Sequence, residues 1–230
     1  MGEIVLIRHG QASFGEDDYD RLSDRGVAQS RRLGLALKAM GQQAPRVVCG
    51  RLRRHRDTAI HCLAGAGTVT EPEVRAAWDE FDHMAVLRAA WPRYADLAAL
   101  RGDMAAAPSP RGFFQDVFTQ AMLRWVGGDH DAEYAETWAA FQARCRDGLQ
   151  RLQEELDPAQ TVLVFTSGGP IAVVMQALLN LATPAALALN AVLVNTGVTR
   201  VSTGRQGARL LSFNAHDHLL QAGSEWVTHR

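Results

Sequence analysis

Two short apolar runs constrain this chain more than anything else in it. Ile4–Val5–Leu6–Ile7 stops abruptly at Arg8-His9-Gly10, and the run TVLVF (161–165) stops at TSGGP (166–170). Each is continuous rather than alternating and rich in β-branched residues. Each therefore predicts a strand covered on both faces, as in parallel sheets flanked by helices. Val47–Val48–Cys49 predicts a further strand, and residues 73–82 a third strand or extended segment. Residues 10–22 read as a polar loop. Ser23 is placed to cap a helix in which Leu33, Leu37 and Met40 fall at helical spacing and Gly41 is the stop. A second helix runs from about Arg54 to Leu63. A third, Ile171–Leu181, is apolar nearly all round and so predicts burial on more than one side. Three segments, 189–195, 198–203 and 208–214, predict β structure at the end of the chain. Strands alternating with helices imply an α/β fold, a three-layer α/β/α sandwich with a mostly parallel central sheet.

One stretch departs from that rhythm. Residues 83–157 are Ala-rich and helical, interrupted at 102–112 and 127–131. Tyr134, Trp138, Phe141, Cys145, Leu149, Leu152 and Leu156 recur every three or four residues, a core-packing stripe. The expectation is one domain over 1–230 carrying a helical cap insertion at about 83–157, a length that 230 residues accommodate.

A formal net charge of -1 argues against nucleic-acid binding, which wants a basic surplus. No apolar run reaches the roughly 20 residues that cross a bilayer. The start of the chain lacks the basic-then-apolar pattern of a secretion signal. Cys49, Cys62 and Cys145 are odd in number and widely spaced, which suits reduced thiols better than disulfides or a zinc site. The expectation is a cytoplasmic protein without membrane or nucleic-acid partners.

In open α/β sheets, ligands bind outside the carboxyl ends of the strands. Three polar clusters fall at such ends. At the first, Arg8 carries a guanidinium that cannot lose its proton, so an anion would offset its burial. His9 adds a titratable ring, and Gly10 offers an open backbone N–H. Phosphate matches such a group, because arginine presents paired donors to its oxygens. At the second, Arg51, Arg53, Arg54 and Arg56 are mostly a solvated face, with one arginine at the helix start free to reach inward. At the third, Ser-Gly-Gly-Pro opening a helix either supplies an anion site or simply caps the helix through Ser167. The pattern lacks the lysine and spacing of a P-loop. Glu80, among the aromatics of WDEFDH (78–83), suits a general acid, with Asp79 and Asp82 as rivals.

Together these residues resemble the histidine phosphatase superfamily, also called phosphoglycerate-mutase-like. LIRHG (6–10) is similar to its N-terminal signature, and GRLRRHRDTA (50–59) to the segment S-x-L-x-R-x-x-x-T-A that carries its second arginine. The likeness extends through LSDRGVAQSRRLG (22–34) and LLSFNAHDHLL (210–220). It implies that His9 is the nucleophile, that Arg8 and Arg54 hold the phosphoryl group, and that Glu80 is the acid. Gly10, Gln11, Ser13, Ser167 and Gly168 are then the expected substrate-binding residues. The implied activity is hydrolysis of a phosphate monoester, a small phosphorylated metabolite or other phosphate ester, through a phosphohistidine, with no metal or cofactor. Asp17, Asp18 and Asp20 read as a polar loop rather than a cation site, and HDH (216–218) is too short for a binuclear metal signature.

Two features depart from the family pattern. Gly50 stands where serine is usual. Ser167 stands where the family has its second histidine, in V-x-H-G-G. Losing such a donor costs on the order of 2.7–4 kcal/mol in other enzymes, so activity is expected to be reduced or altered and Ser167→His to raise turnover. His55, His83 and His216 are the histidines that could substitute in space. Gln11, Ala12, Phe14 and Gly15 differ from the mutase motif R-H-G-E-S-x-W-N, which favours a phosphatase. The alternatives are mutase-type phosphoryl transfer and a catalytically weak phosphate-ester binding or regulatory protein.

Overall fold

A computed structural model describes residues 2–13, 20–42, 46–205 and 207–229. The chain divides into two compact units, one of Met1–Glu80 with Cys145–Arg230, the other of Phe81–Arg144.

The first unit is built on a sheet. Its strands are β1 (Gly2–Arg8), β2 (Arg46–Cys49), β3 (Glu73–Val74), β4 (Thr161–Thr166), β5 (Val198–Gly204) and β6 (Gly207–Ala215), in spatial order β3-β2-β4-β1-β5-β6. β1, β2, β3 and β4 pair in parallel, while β5 and β6 close one edge in antiparallel. The uninterrupted apolar runs are explained by cover on both faces. Val5, Ile7, Val47, Leu163 and Phe165 pack toward Leu33 and Leu37 of α1 (Asp24–Ala39) and Ala59 and Leu63 of α2 (Arg53–Ala66). Ile4, Leu6, Val48, Val162 and Val164 join Leu149 and Leu152 of α6 (Trp138–Glu155) and Ile171, Val174 and Met175 of α7 (Gly168–Leu179). This is the expected three-layer α/β arrangement with a mostly parallel sheet.

The second unit contains α3 (His83–Ala90), α4 (Leu97–Ala106), α5 (Pro110–Gly127) and the first turns of α6. Its centre is aromatic: the rings of Phe81 and Trp125 lie 4.8 Å apart, and Phe141 packs edge-on to Phe81 at 5.5 Å.

Several local expectations are corrected. Residues 189–192 are not a strand but the end of α8 (Thr183–Val192). The apolar character that continues from them through Leu193 and Val194 is outweighed by the Pro184 helix start and the Ala/Leu content upstream. The extended segment at 73–82 shrinks to the two residues of β3, followed by a 3₁₀ turn at Ala76–Trp78. Ser23 does cap α1, accepting from the Gly26 N–H, but Met40 ends it and is 64% exposed instead of facing the core. The interruption at 102–112 is only 107–109. Tyr134 precedes α6 instead of opening its stripe. Helix α7 begins at Gly168 and its residues 168–175 are all buried, as an all-round apolar helix should be.

Candidate active site

The parallel strands β1, β2 and β4 deliver their carboxyl ends to one edge of the sheet. The backbone locks those ends together: the His9 N–H donates to the Thr166 carbonyl at 2.8 Å, and the Gly50 N–H to the Phe165 carbonyl at 3.1 Å. Asn195, which follows α8, donates from its side-chain amide to the His9 carbonyl at 3.0 Å. His9 is thus held from both sides before its side chain does anything.

The His9 ring is buried, with Nδ1 2.7 Å from the Gly10 carbonyl oxygen. A carbonyl only accepts, so Nδ1 carries the proton and Nε2 keeps its lone pair in the neutral ring. Burial, then the positive charges of Arg54 and Arg8, push the His9 pKa well below the usual histidine value. The ring is therefore neutral at pH 7, with a bare nitrogen beside two guanidinium groups. That is the state a nitrogen nucleophile requires.

Arg8 and Arg54 reach the site from different elements. The Arg8 guanidinium donates to the Leu193 carbonyl. Arg54 sits in the first turn of α2, buried, and forms an ion pair with Asp20 at 2.7 Å. Asp20 also accepts from the Arg53 N–H at 2.7 Å. Thr58 ties this helix to the β1 loop: its hydroxyl donates to the Arg54 carbonyl at 2.6 Å and accepts the Gly10 N–H at 3.0 Å. Glu80 lies at the opening of α7, its Oε2 accepting from the Gly169 N–H at 3.1 Å.

At the end of β4 the structure holds an imidazole that does not come from β4. His55, fully buried on α2, brings Nε2 to 2.6 Å from the Ser167 Oγ, and its ring centroid lies 5.8 Å from that of His9.

The family model for the histidine phosphatase superfamily (branch 1) matches residues 4–97 and 114–216. This chain belongs to that superfamily. No curated protein matches the sequence significantly. Solved structures do. A phosphoserine phosphatase mutant from Entamoeba histolytica, in complex with phosphoserine, is 17% identical with a TM-score of 0.63, covering 95% of this chain and 100% of that one. A phosphoglycerate mutase from Bacillus anthracis is 18% identical with a TM-score of 0.64, covering 94% of each chain. A mycobacterial glucosyl-3-phosphoglycerate phosphatase is 25% identical with a TM-score of 0.60, covering 93% of this chain and 98% of that one.

In this histidine phosphatase-family chain, the structure separates the three rival carboxylates. Asp79 is taken up by Arg51, accepting from its N–H at 2.5 Å and from its guanidinium at 2.6 Å. Asp82 caps α3 through the Met84 and Ala85 N–H groups. Glu80 accepts from the Gly169 N–H at the α7 opening.

Other expectations change. The Gly10 N–H is not open to a ligand, being committed to Thr58. The lack of a side chain at Gly10 serves packing instead, since a Cβ there would lie 2.5 Å from the Gly26 carbonyl oxygen. Gln11 faces inward to the loop, its N–H on Gln29 Oε1 at 2.9 Å and its Oε1 accepting from the Ser23 hydroxyl at 3.1 Å. Ser13 is buried with its N–H on the Arg21 carbonyl at 2.8 Å. Gly168 lets Asn190 approach; a Cβ there would come within 2.0 Å of its side-chain oxygen. Ser167 holds the N-cap position but makes no capping bond, so the simple capping account fails.

Asp20 is not merely part of a polar loop, because it pairs with Arg54. Asp17, Asp18, Phe14 and Gly15 lie outside the described residues. His216 is turned to the Asn214 carbonyl at 2.7 Å, and His83 packs edge-on to Phe118 in the second unit. Thr58 and Asn195 escaped sequence reasoning as site builders. Thr58 was visible in the T-A of its motif, whereas Asn195 had no local signal.

Proposed function

We propose that the protein is a phosphatase that hydrolyses a phosphate monoester through a phosphohistidine on His9. The observation that carries this reading is the neutral His9 ring, its Nδ1 proton committed to the Gly10 carbonyl, which leaves Nε2 its lone pair in a ring that feels the charges of Arg54 and Arg8. Nε2 attacks the phosphorus in line, the P–N bond forms, and the bond from phosphorus to the ester oxygen breaks. Arg8 and Arg54 bind the phosphoryl oxygens, where charge is held in the transition state. Phosphoryl oxygens must compete with Asp20 for Arg54. Glu80 gives a proton to the departing alcohol oxygen and then takes one from the water that attacks the phosphohistidine, releasing phosphate and restoring His9.

The substrate class is a small phosphorylated metabolite. Support comes from solved relatives that hold phosphoserine or 3-phosphoglyceric acid. We keep the whole chain as one histidine phosphatase-like domain with its helical insertion at about 83–157. Residues 98–113 lie outside the family match. The three buried free thiols suit a reducing cytoplasm, and among the described residues no helix is long and apolar enough to cross a membrane.

The test is hydrolysis of an aryl phosphate by the wild-type protein and by His9→Ala. The expected loss is on the order of 10³-fold or more, as for removal of other covalent nucleophiles. Equal rates would exclude a phosphohistidine route. Conversion of 3-phosphoglycerate to its isomer faster than its hydrolysis would replace the phosphatase reading with mutase chemistry.

A further inference from the structure

Three positions around the end of β4 depart from the family pattern or stand out chemically, and the fold brings all three together. Gly50 replaces the usual serine, Ser167 replaces the usual histidine, and His55 directly follows the arginine of α2. A Cβ at position 50 would lie 2.3 Å from His55 Nδ1. The missing side chain at 50 is thus part of the space that the His55 ring occupies. That ring is fully buried, and its Nε2 reaches the Ser167 hydroxyl.

The direction of that hydrogen bond follows from the other nitrogen. His55 Nδ1 is buried and has no hydrogen-bond partner among the described residues. A proton on Nδ1 would be a buried donor with nothing to accept it, so the proton sits on Nε2 and is donated to the Ser167 Oγ. Burial and the neighbouring Arg54 charge keep the ring neutral. The Ser167 oxygen accepts from His55 and makes no capping bond to α7, leaving its own O–H proton to be given elsewhere. The site for it is close: the preceding residue, Thr166, holds the His9 backbone at 2.8 Å, and the His9 and His55 rings are 5.8 Å apart.

We propose that His55 and Ser167 act as a split replacement for a single histidine: His55 positions the Ser167 hydroxyl, and that hydroxyl donates to a phosphoryl oxygen of the group bound at His9. In this division Ser167 is the residue that touches substrate and His55 is a positioning residue. The inference rests on the phosphatase reading above.

The test compares kcat and KM for an aryl phosphate across Ser167→Ala, His55→Gln, His55→Asn and the double variant Ser167→Ala/His55→Asn, with melting temperature recorded for each. A glutamine amide can stand where Nε2 stands, and an asparagine amide only where Nδ1 stands. His55→Gln is therefore expected to keep kcat within about 3-fold of wild type, while His55→Asn loses roughly 10-fold or more. Ser167→Ala is expected to lose about 10²-fold, as for one oxyanion donor. The double variant is expected to be no slower than Ser167→Ala, because residues acting as one unit do not add.

Equal kcat for the Gln and Asn variants, or losses that multiply in the double variant, would overturn the proposal. So would loss in the His55 variants with full activity in Ser167→Ala, which would put His55 itself against the phosphoryl group. If His55→Asn fails to fold, Ser167→Ala and His55→Gln still decide: unchanged kcat in the first, or a loss in a folded second equal to that of Ser167→Ala, sinks it. His9→Ala separates the two readings, since its full activity would defeat the phosphatase reading itself, whatever His55 does.

Discussion

The ends of β1 and β4 solve the same problem in different ways. At β1, consecutive residues do the work: Arg8 brings charge, His9 the proposed nucleophile, and the Gly10 carbonyl sets the ring's tautomer. After β4, the Ser167 position supplies a hydroxyl, and the imidazole arrives from α2, 112 residues away in sequence. A nucleophile tolerates little displacement, because its lone pair must line up with phosphorus. A donor to a phosphoryl oxygen can be assembled from two side chains as long as the last proton points the right way. In the proposed division, the attacking ring takes its tautomer from its own neighbour Gly10 while distant Thr166 and Asn195 hold its backbone, and the stabilising donor is shared with a residue of another element.

The largest effect that sharpens this contrast should come from Glu80. Glu80→Gln is expected to cost about 10²- to 10⁴-fold in kcat on an alkyl phosphate, and much less on an aryl phosphate, whose leaving oxygen needs little help. Equal losses on the two substrates would remove Glu80 from the acid role.

A middle-sized effect bears directly on β4. With Nε2 of His55 only 2.6 Å from the Ser167 Oγ, an imidazole at 167 extending along the present Oγ direction would overlap the His55 ring. The sequence expectation that Ser167→His raises turnover is revised accordingly. The single variant should lose activity or melt lower, through overpacking that typically costs about 1–3 kcal/mol. The double variant Ser167→His/His55→Ala should recover at least about 10-fold in kcat relative to that single variant. A folded single variant faster than wild type would show that the two sites are not alternatives.

The smallest effect is on pH dependence of stability. In the unfolded chain His9 and His55 take up protons near pH 6.5, but in the folded protein their pKa values are lowered, first by burial, so they stay neutral. Below that pH the unfolded state binds more protons, and stability falls as pH drops. His218, pushed down to about 4, adds to the same trend. Urea midpoints should be lower at pH 5 than at pH 7.5, and His55→Gln should flatten the decline. A midpoint independent of pH in this window would contradict the buried neutral state of both rings.

Much of the framework was legible because it rests on short-range rules. Continuous apolar runs gave away β1, β2 and β4, and Ser23 with Leu33 and Leu37 marked α1. The reading failed where two local signals competed. Val192–Leu193–Val194 looked like a strand, although Thr183-Pro184 had already started a helix that carried through Val192. The roles of Gly10 and Asp20 were misjudged for a different reason. Whether an N–H is open or a carboxylate is paired depends on what packs against it, here Thr58 and Arg54.

By itself, then, the order of residues determined the strand-and-helix alternation, the strand ends where polar groups gather, and the Arg8-His9 pair, because each is written in neighbours along the chain. Only the tertiary structure decided which of Asp79, Glu80 and Asp82 meets α7, and which histidine reaches Ser167. Those choices depend on where separate elements come to lie. Hydrogen bonds act over about 3 Å, and no spacing within one segment reports a distance that short between two others.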